Sequence, residues 1–252
     1  MGKMIWLEDR KTDYIEPQKK FYIFCEGKKT EPLYFELFKD LIEMQVVYKG
    51  AITVVPCGAN TMTVLNMAKK YVKKNDISSG EIWCVYDKDS FTKEKFNQVA
   101  LSIKDLNKKM KGEMQYYAGW SNECIEFWFL LYFDYCDVNN GRKACVKKLN
   151  KIYRDFGNEK SKDNSKEASK KGIRKRTANK KQTKSVTCTK YEKNNKQVFT
   201  VLREKGNEIQ AIQYAKKLMK GTGGKQPSDI APGTRVHELV EKLRMYLPKS
   251  GW

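Results

Sequence analysis

The apolar positions of the first half of the chain form short continuous runs that alternate with segments of helical periodicity. The runs predict four strands, at 21–25, 51–56, 81–86 and 113–119. The intervening segments place apolar residues three and four apart and predict helices at 31–45, 61–74 and 92–109, the first of them capped by Thr30. Alternating strands and helices indicate βαβ units, and continuous apolar runs suit a parallel sheet covered on both faces. The expected fold class is therefore α/β.

The second half of the chain has mainly helical patterns. The run "CIEFWFLLYF" is apolar nearly all round and predicts a buried helix at 125–133, with Ser121 as its cap. Further helices are expected at 141–155 and within about 188–220, and a last one is expected after a cap at Thr234. The segment "GTGGKQPSDIAPG" before that last helix predicts a loop.

These patterns predict three parts of the chain. They are an N-terminal extension (1–20), an α/β core (21–135) and a helical C-terminal region (136–252) that carries a basic insertion at about 159–187. The insertion is poor in apolar residues and is expected to be a mobile or solvated arm.

The charge of the chain is strongly positive, with 50 Lys and Arg against 30 Asp and Glu and a net charge of +20. Half of that excess lies within 159–196, where fourteen Lys and Arg stand against four acids. A surplus of this size favours polyanions such as nucleic acid. Phosphate contacts that read no sequence are predicted for Arg174, Lys175, Arg176, Lys180 and Lys181. The alternative is a solvated linker that only keeps the protein soluble.

The sequence lacks residues and segments that several classes of function require. No apolar run has the length of a membrane span and no N-terminal stretch resembles a signal peptide, which predicts a cytoplasmic protein without membrane contact. Seven cysteines without a CxxC pair suit a reducing compartment. The single histidine, His237, argues against zinc binding and against a His-dependent triad. Neither "GKKT" nor "GTGGKQ" completes a phosphate-binding P-loop, so this chain alone is not expected to hydrolyse nucleotides.

Acidic residues follow two of the predicted strands. Glu26 comes directly after the first strand, and Asp87 and Asp89 come after the third. Ligands of parallel sheets bind beyond the carboxyl ends of the strands. An Asp-x-Asp in extended chain points both carboxylates to one side, which suits Mg²⁺. This spacing leads to the hypothesis of a Mg²⁺ site for phosphate chemistry; the alternative is that these acids only cap helices or lie in solvent.

Neighbouring residues add further candidates. Glu26 would complete the metal site or act as an acid/base group, and Lys28 or Lys29 could hold an incoming phosphate. Asn122 and Glu126 are four residues apart and would share a helical face. A glutamate in so apolar a run is costly to bury alone, so Glu126 either pairs with a lysine or arginine or turns toward the metal.

The blocks "CEGKKTEPLYF", "VYDKD" and "SNECIEFWFLLYF", in this order, resemble the RloB family, a branch of the Toprim nuclease-like superfamily. The late "GTRVHELVEKL" resembles the C-terminal pattern of that family, so the resemblance spans nearly the whole chain from residue 21. It implies a Toprim-like parallel sheet sandwiched by helices, in which a strand-end glutamate works with Asp-x-Asp and Mg²⁺.

Carried over to this chain, the resemblance makes Glu26 the acid/base candidate and Asp87 and Asp89 the metal ligands. Glu31 would be either a further site acid or a first-turn residue favoured by the helix dipole. Members of the family often have His-Phe where this chain has Tyr132-Phe133, which leaves the role of Tyr132 open.

The residues and the resemblance together predict a nuclease that depends on Mg²⁺, with Mn²⁺ as a candidate substitute, and that cleaves RNA, tRNA first, or DNA. The resemblance also implies anti-phage defence with a separate ABC- or AAA-type ATPase as partner.

Two other classes of function stay open, namely a nucleic-acid-binding adaptor with a degenerate site and a polymerising enzyme of primase type. The full acidic set argues against the adaptor, and the lack of a Cys/His zinc module argues against the primase. The sequence leaves the oligomeric state open.

Overall fold

The structure, a computed structural model, describes residues 19–110, 112–170 and 188–248, without the side chains of 158–170. The strands in these ranges are β1 (Phe21–Cys25), β2 (Ile52–Pro56), β3 (Gly80–Asp87), β4 (Met114–Asn122) and β5 (Gly233–Thr234). The helices are α1 (Thr30–Glu43), α2 (Thr61–Lys74), α3 (Lys93–Lys109), α4 (Ile125–Leu130), α5 (Gly141–Lys170), α6 (Lys196–Lys205), α7 (Glu208–Met219) and α8 (Val236–Arg244). Among the described residues, no helix combines the length and the apolar character that a membrane span requires.

The strands form one sheet in the order β2–β1–β3–β4–β5. The first four are parallel to one another, and β5 pairs antiparallel with β4 through Ser121 and Thr234 and through Asn122 and Gly233. β5 lies at the end of the segment predicted as a loop. The sequence does not predict this strand, because two residues carry too little periodicity to be recognised. The expected fold class is confirmed: the chain has an α/β fold with a Toprim-like, mostly parallel sheet flanked by helices.

The strand order creates a crevice between the ends of β1 and β3. β1 has β2 on one side and β3 on the other, so the chain reverses its direction across the sheet after β2. The helix that follows β1 packs on one face of the sheet, and the helix that follows β3 packs on the opposite face. Such a topological switch point is where open α/β sheets bind their ligands.

The two faces of the sheet bury two separate hydrophobic cores. Phe21, Ile23 and Cys25 of β1 face the larger core, which α1 and α4 to α8 cover. The alternate residues Tyr22 and Phe24 face the smaller core, which α2 and α3 cover. Because both faces are covered, every residue of β1 is buried, and this explains its continuous apolar run.

None of the three predicted helix caps is the N-cap of its helix. Thr30 is the first residue of α1, and its N-cap is Lys29, which makes no side-chain capping bond. Ser121 does not cap α4, because it continues β4 and its hydroxyl lies 3.1 Å from the hydroxyl of Thr234. Thr234 belongs to β5 and the N-cap of α8 is Arg235, although the hydroxyl of Thr234 accepts the N–H of Val236, the first residue of α8. The pairing of β4 with β5 therefore determines the environment of both hydroxyls.

Two helices differ in length from the prediction. α4 ends at Leu130 instead of 133, because the chain then turns more tightly and the N–H of Phe133 donates to Leu130. α5 continues to Lys170, past the predicted end at 155 and into the segment predicted as an arm. Residues 171–187 lie outside the described residues, so the mobility of the arm stays a prediction.

A buried polar network lies inside the larger core and includes Tyr132. The hydroxyls of Tyr34 and Tyr132 lie 2.7 Å apart, and Trp128 donates its Nε1–H to Tyr34 at 2.9 Å. Tyr132 donates to Glu208 at 2.9 Å, and Glu208 also pairs with Arg244. Tyr132 is therefore a link between α1, the end of α4 and α7, and it does not line the crevice at the strand ends.

The substitution Tyr132→Phe tests this network. It leaves a buried tyrosine hydroxyl and a buried carboxylate short of a partner, so we expect the free energy of unfolding to fall by about 1–3 kcal/mol. Urea denaturation measures the change. Tyr117→Phe is the matched control, since its hydroxyl bonds only to an exposed glutamine and its loss should cost less than about 0.5 kcal/mol. Equal losses of unfolding free energy in the two variants would show that the buried hydroxyl adds no more stability than the exposed one.

Candidate active site

Neighbouring strands supply the first two carboxylates of the site. The N–H of Glu26 donates to the carbonyl oxygen of Val85 at 2.9 Å, so the pairing of β1 with β3 extends to this residue. Oε2 of Glu26 accepts the backbone N–H of Asp87, the last residue of β3, at 2.9 Å. Asp87 itself is 3% exposed. Parallel pairing thus brings together two acids that are 61 residues apart in the chain.

Asp89 reaches the same place through a turn. Its φ is +42°, in the left-handed region, and its N–H donates to the carbonyl oxygen of Glu123 at 3.0 Å. The prediction of an extended Asp-x-Asp is therefore wrong, because β3 ends at Asp87. The two carboxylates still converge, on the guanidinium of Arg142: Nη2 donates to Oδ2 of Asp87 at 2.8 Å and Nη1 donates to Oδ2 of Asp89 at 2.6 Å.

The turn between β1 and α1 brings in a fourth acid and a lysine. Glu31, in the first turn of α1, is 6% exposed, and a Cβ on Gly27 would lie 2.1 Å from its Oε2. Only glycine at position 27 lets this carboxylate lie so close to the backbone. Lys28 packs its carbon chain against Gly58, where a Cβ would lie 2.3 Å from the nearest side-chain carbon of the lysine.

Glu126 pairs with cations and also faces the site, so both alternatives from the sequence apply. Its side chain, on the short helix α4, is fully buried. Oε1 accepts a hydrogen bond from the hydroxyl of Tyr191 at 3.2 Å and lies 3.2 Å from Nζ of Lys193. Oε2 lies 3.5 Å from Nε of Arg142 without forming a hydrogen bond to it.

These residues line one cavity of about 290 Å³ at the switch point. Five carboxylates contribute to its wall: Glu26, Glu31, Asp87, Asp89 and Glu126. Four cations also line it: Lys28, Lys29, Arg142 and Lys193. The lysines are largely exposed, whereas three of the five acids are buried, so the interior of the cavity is acidic and its rim is basic.

Burial and crowding change the protonation of the acids. Burial, followed by repulsion from Glu31 and Asp89, raises the pKa of Glu26 to about 7, against the hydrogen bond from the backbone of Asp87. Burial raises the pKa of Asp87 well above its usual range, and Glu31 and Glu126 raise it further. Burial also raises the pKa of Glu31, again with a contribution from Glu126. The cations of the cavity therefore do not fully compensate these three acids.

Glu126 and Arg142 form the ionised part of the site. Burial acts to raise the pKa of Glu126, but the charges of Lys193 and Arg142 outweigh it and lower the pKa. Burial acts to lower the pKa of Arg142, but the nearby acids, Asp87 first, raise it. Both side chains are consequently charged at neutral pH.

The chemistry of the donors fits a hard divalent cation such as Mg²⁺, which prefers carboxylate oxygens. Two buried oxygens of the site, Oδ1 of Asp87 and Oε2 of Glu126, have no hydrogen-bond partner, which is costly for a charged group. Within the described part of the chain, no three Asp, Glu, His or Cys side chains are arranged to hold one metal ion. The guanidinium of Arg142 occupies the position between Asp87 and Asp89 where the sequence predicts the metal.

The structure brings most of the predicted site residues together: Glu26, Lys28, Lys29, Glu31, Asp87, Asp89 and Glu126. Asn122 is not among the lining residues. It ends β4 and donates its amide to the carbonyl oxygen of Ile230 at 3.0 Å, which anchors the segment before β5. The prediction that Asn122 and Glu126 share a helical face is therefore wrong. Asn122 makes no contact in the cavity that would support a catalytic role.

The basic residues predicted for phosphate binding are only partly described. Lys29 lies exposed at the rim of the cavity. The other five, namely Arg174, Lys175, Arg176, Lys180 and Lys181, lie outside the described residues. Nucleic-acid binding by these five stays a prediction.

Sequence reasoning missed the two cations that pair with the acids, Arg142 and Lys193. Arg142 belongs to the first turn of α5, and it is 53 residues from Asp89 in the chain. Lys193 lies in the segment before α6, among many other basic residues. Neither shows a local pattern that marks it, because each is selected only by the way the helical region packs against the sheet.

The raised pKa of Glu26 predicts how stability depends on pH in the metal-free protein. Its folded pKa of about 7 exceeds the reference value of 4.5, so the folded protein holds more protons than the unfolded chain between these values. The stabilising contribution is complete below pH 4.5 and is lost as the pH rises through about 7. In chelator, the wild type should therefore lose stability between pH 5 and 7.5, and Glu26→Gln should lose up to about 3 kcal/mol less.

Chemical denaturation at a series of pH values measures this difference. Glu204→Gln, which removes an exposed acid on α6, is the control and should follow the wild-type profile. A Glu26→Gln profile that runs parallel to that of the wild type would contradict the raised pKa.

Comparison with known proteins places the chain in a family. No curated protein and no solved structure matches it. A family model described as RloB-like protein matches residues 21–243, which include all five strands and every residue that lines the cavity. The family resemblance of the sequence motifs is thereby confirmed. The chain belongs to the RloB-like protein family.

Proposed function

We propose that this protein is a metal-dependent nuclease. The observation that supports the proposal most directly is the cavity at the ends of β1 and β3, where five carboxylates lie next to four cations. Metal-assisted cleavage of a phosphodiester uses both, since acids hold a divalent metal and cations neutralise the charge of the phosphate. Membership of the RloB-like family is compatible with this activity.

The side chains divide by role in this proposal. Asp87 and Asp89 would hold Mg²⁺ or Mn²⁺, which supplies a Lewis acid and an activated water when bound. Oε2 of Glu26 accepts the N–H of Asp87, which leaves Oε1 to take up or return a proton, and a pKa of about 7 suits that exchange. Lys28 and Lys29 lie exposed at the rim, where they would bind phosphate oxygens.

The outward face of α5 offers a path for a nucleic-acid backbone toward this cavity. Lys143, Lys147, Lys151 and Arg154 are exposed and follow one another at intervals of four, four and three residues, which places them on one side of the helix. No described carboxylate forms an ion pair with any of them. The row begins next to Arg142, which lines the cavity.

RNA, and tRNA in particular, is the preferred substrate class in this proposal, by analogy with related Toprim effectors. A role in anti-phage defence, with a separate ABC- or AAA-type ATPase that senses infection, belongs to the same proposal.

One observation favours a second candidate, a non-catalytic adaptor that binds nucleic acid. Arg142 bridges Asp87 and Asp89, so the two acids expected to bind metal are already engaged by an internal cation. A site that is permanently closed in this way would retain its basic rim and its nucleic-acid binding but would cleave nothing.

The first experiment is a cleavage assay on tRNA, single-stranded RNA and plasmid DNA with Mg²⁺, Mn²⁺ or chelator, with and without a candidate ATPase partner. The wild type should cleave one substrate in the presence of the metal. Glu26→Gln and Asp87→Asn should each lower the rate by about 10²–10⁴-fold, because a proton-transfer group or a metal ligand is lost.

Asp105→Asn, which removes an exposed acid on α3, is the control for general charge effects and should cleave at the wild-type rate. Cleavage that persists in the Glu26 and Asp87 variants would reject the assigned site. Tight binding by the wild type without cleavage under any condition would favour the adaptor.

A second experiment tests the basic face of α5. Replacing Lys143, Lys147, Lys151 and Arg154 with Gln should weaken nucleic-acid binding and lower the slope of log K against log salt by about 0.7–0.9 for each phosphate that the variant no longer neutralises. Replacing Arg174, Lys175, Arg176, Lys180 and Lys181 with Gln should have the same kind of effect if that segment binds phosphates. Fluorescence anisotropy across a range of salt concentrations measures both variants.

The matched control removes the same number of charges from the opposite face of the sheet. Lys69, Lys70, Lys73 and Lys74 of α2 are exposed there, and their replacement with Gln should leave the salt slope close to that of the wild type. Equal effects of the α2 and α5 variants would show that only net charge matters and that α5 has no specific role.

A further inference from the structure

Arg142 makes the strongest polar contacts of the cavity. Its two terminal nitrogens donate to the two aspartates at 2.8 Å and 2.6 Å, which are distances typical of charge-assisted hydrogen bonds. Nε lies 3.5 Å from Oε2 of Glu126. One guanidinium thus holds three acids that come from three different segments of the chain.

The contacts of Arg142 use the oxygens that a divalent cation would need. Oδ2 of Asp87 and Oδ2 of Asp89 are its acceptors, while Oδ1 of Asp87 and Oε2 of Glu126 are buried and make no hydrogen bond. A guanidinium carries one positive charge and cannot satisfy all of these oxygens. A divalent cation carries two and binds carboxylates from several directions. The site is therefore occupied by a cation that compensates it incompletely.

We propose that Arg142 is an internal cation that competes with the divalent metal for Asp87 and Asp89. The proposal rests on the metal site of the proposed function and adds to it that metal binding requires the guanidinium to leave the two aspartates. Like charges at such short range exclude each other, so both cations cannot hold the same pair of oxygens. The concentration at which the metal binds is consequently set by this competition.

The position of Arg142 allows it to leave without unfolding its helix. It lies in the first turn of α5, directly after Gly141, whose φ is +71°. Its side chain is 34% exposed, so part of it reaches solvent although its Nε is buried. Rotation of the long side chain toward solvent would free both aspartates while Cys145, Leu149 and Tyr153 keep α5 packed on the larger core.

Metal affinity in the absence of nucleic acid is the direct test, and it does not depend on nuclease activity. Calorimetric titration with Mn²⁺ compares the wild type with Arg142→Ala. We expect Arg142→Ala to bind Mn²⁺ at least about tenfold more tightly, because the metal no longer displaces a bound cation.

Lys193→Ala is the matched control. It removes one positive charge that lies 3.2 Å from Glu126 but makes no contact with either aspartate. A general change of potential would strengthen Mn²⁺ binding similarly in both variants, whereas direct competition predicts a clearly larger gain for Arg142→Ala. Equal gains, or unchanged or weaker binding by Arg142→Ala, would overturn the proposal.

Thermal unfolding gives a second readout. Arg142→Ala leaves the acids without their cation, so its midpoint in chelator should be lower than that of the wild type. Addition of Mg²⁺ should raise the midpoint more in this variant than in the wild type, since the metal replaces the missing charge. If Arg142→Ala does not fold, Arg142→Lys decides the question: it keeps the charge but loses the two-pronged contact, and it should bind Mn²⁺ about threefold more tightly than the wild type.

The two proposals fail in different ways. Tighter Mn²⁺ binding by Arg142→Ala without cleavage of any nucleic acid would support the competition and reject the nuclease. Metal-dependent cleavage that needs Glu26 and Asp87, together with Mn²⁺ affinity that does not respond to Arg142, would support the nuclease and reject the competition.

Discussion

The site depends on one electrostatic constraint, which is the confinement of several carboxylates to a buried crevice between two parallel strands. β1 and β3 are hydrogen-bonded neighbours, so the acids at their ends cannot move apart without breaking the sheet. Oε2 of Glu26 accepts the backbone N–H of Asp87, and burial together with repulsion from neighbouring acids, Glu31 among them, raises the pKa of both carboxyl groups. The packing of two hydrophobic cores on the sheet must offset this unfavourable arrangement. A cluster of buried acids with raised pKa values at one place in a fold is typical of a functional site.

A buried acid elsewhere in the molecule shows the contrast. Glu81, near the start of β3, is 2% exposed, yet its carboxylate contacts Lys19 at 2.6 Å and Lys242 at 2.7 Å and accepts the Nε1–H of Trp83 at 2.9 Å. Burial acts to raise the pKa of Glu81, but these partners outweigh it and lower the pKa. The carboxylate of Glu81 is thus fully paired, whereas Asp87, at the opposite end of the same strand, keeps one buried oxygen without a hydrogen bond.

The helical C-terminal region contributes to the site as well as to the core. α5 brings Arg142 to the two aspartates, and the segment before α6 brings Lys193 to Glu126. The same helices bury their apolar faces on the larger core, next to α1 and α4. The balance of charge in the crevice therefore depends on how these helices dock, so that a change in their packing would alter the affinity of the acids for any cation.

The amino-acid sequence was sufficient to predict the alternation of strands and helices, the parallel sheet and the acids at two strand ends. These follow from local periodicity and from the rule that ligands of such sheets bind beyond the strand ends. Four features became evident only from the folded chain: the antiparallel strand β5, the turn that directs Asp89, the orientation of Asn122 away from the cavity and the pairing of the acids with Arg142. Each of these depends on contacts between residues far apart in the chain, for which local patterns of hydrophobicity and charge carry no signal.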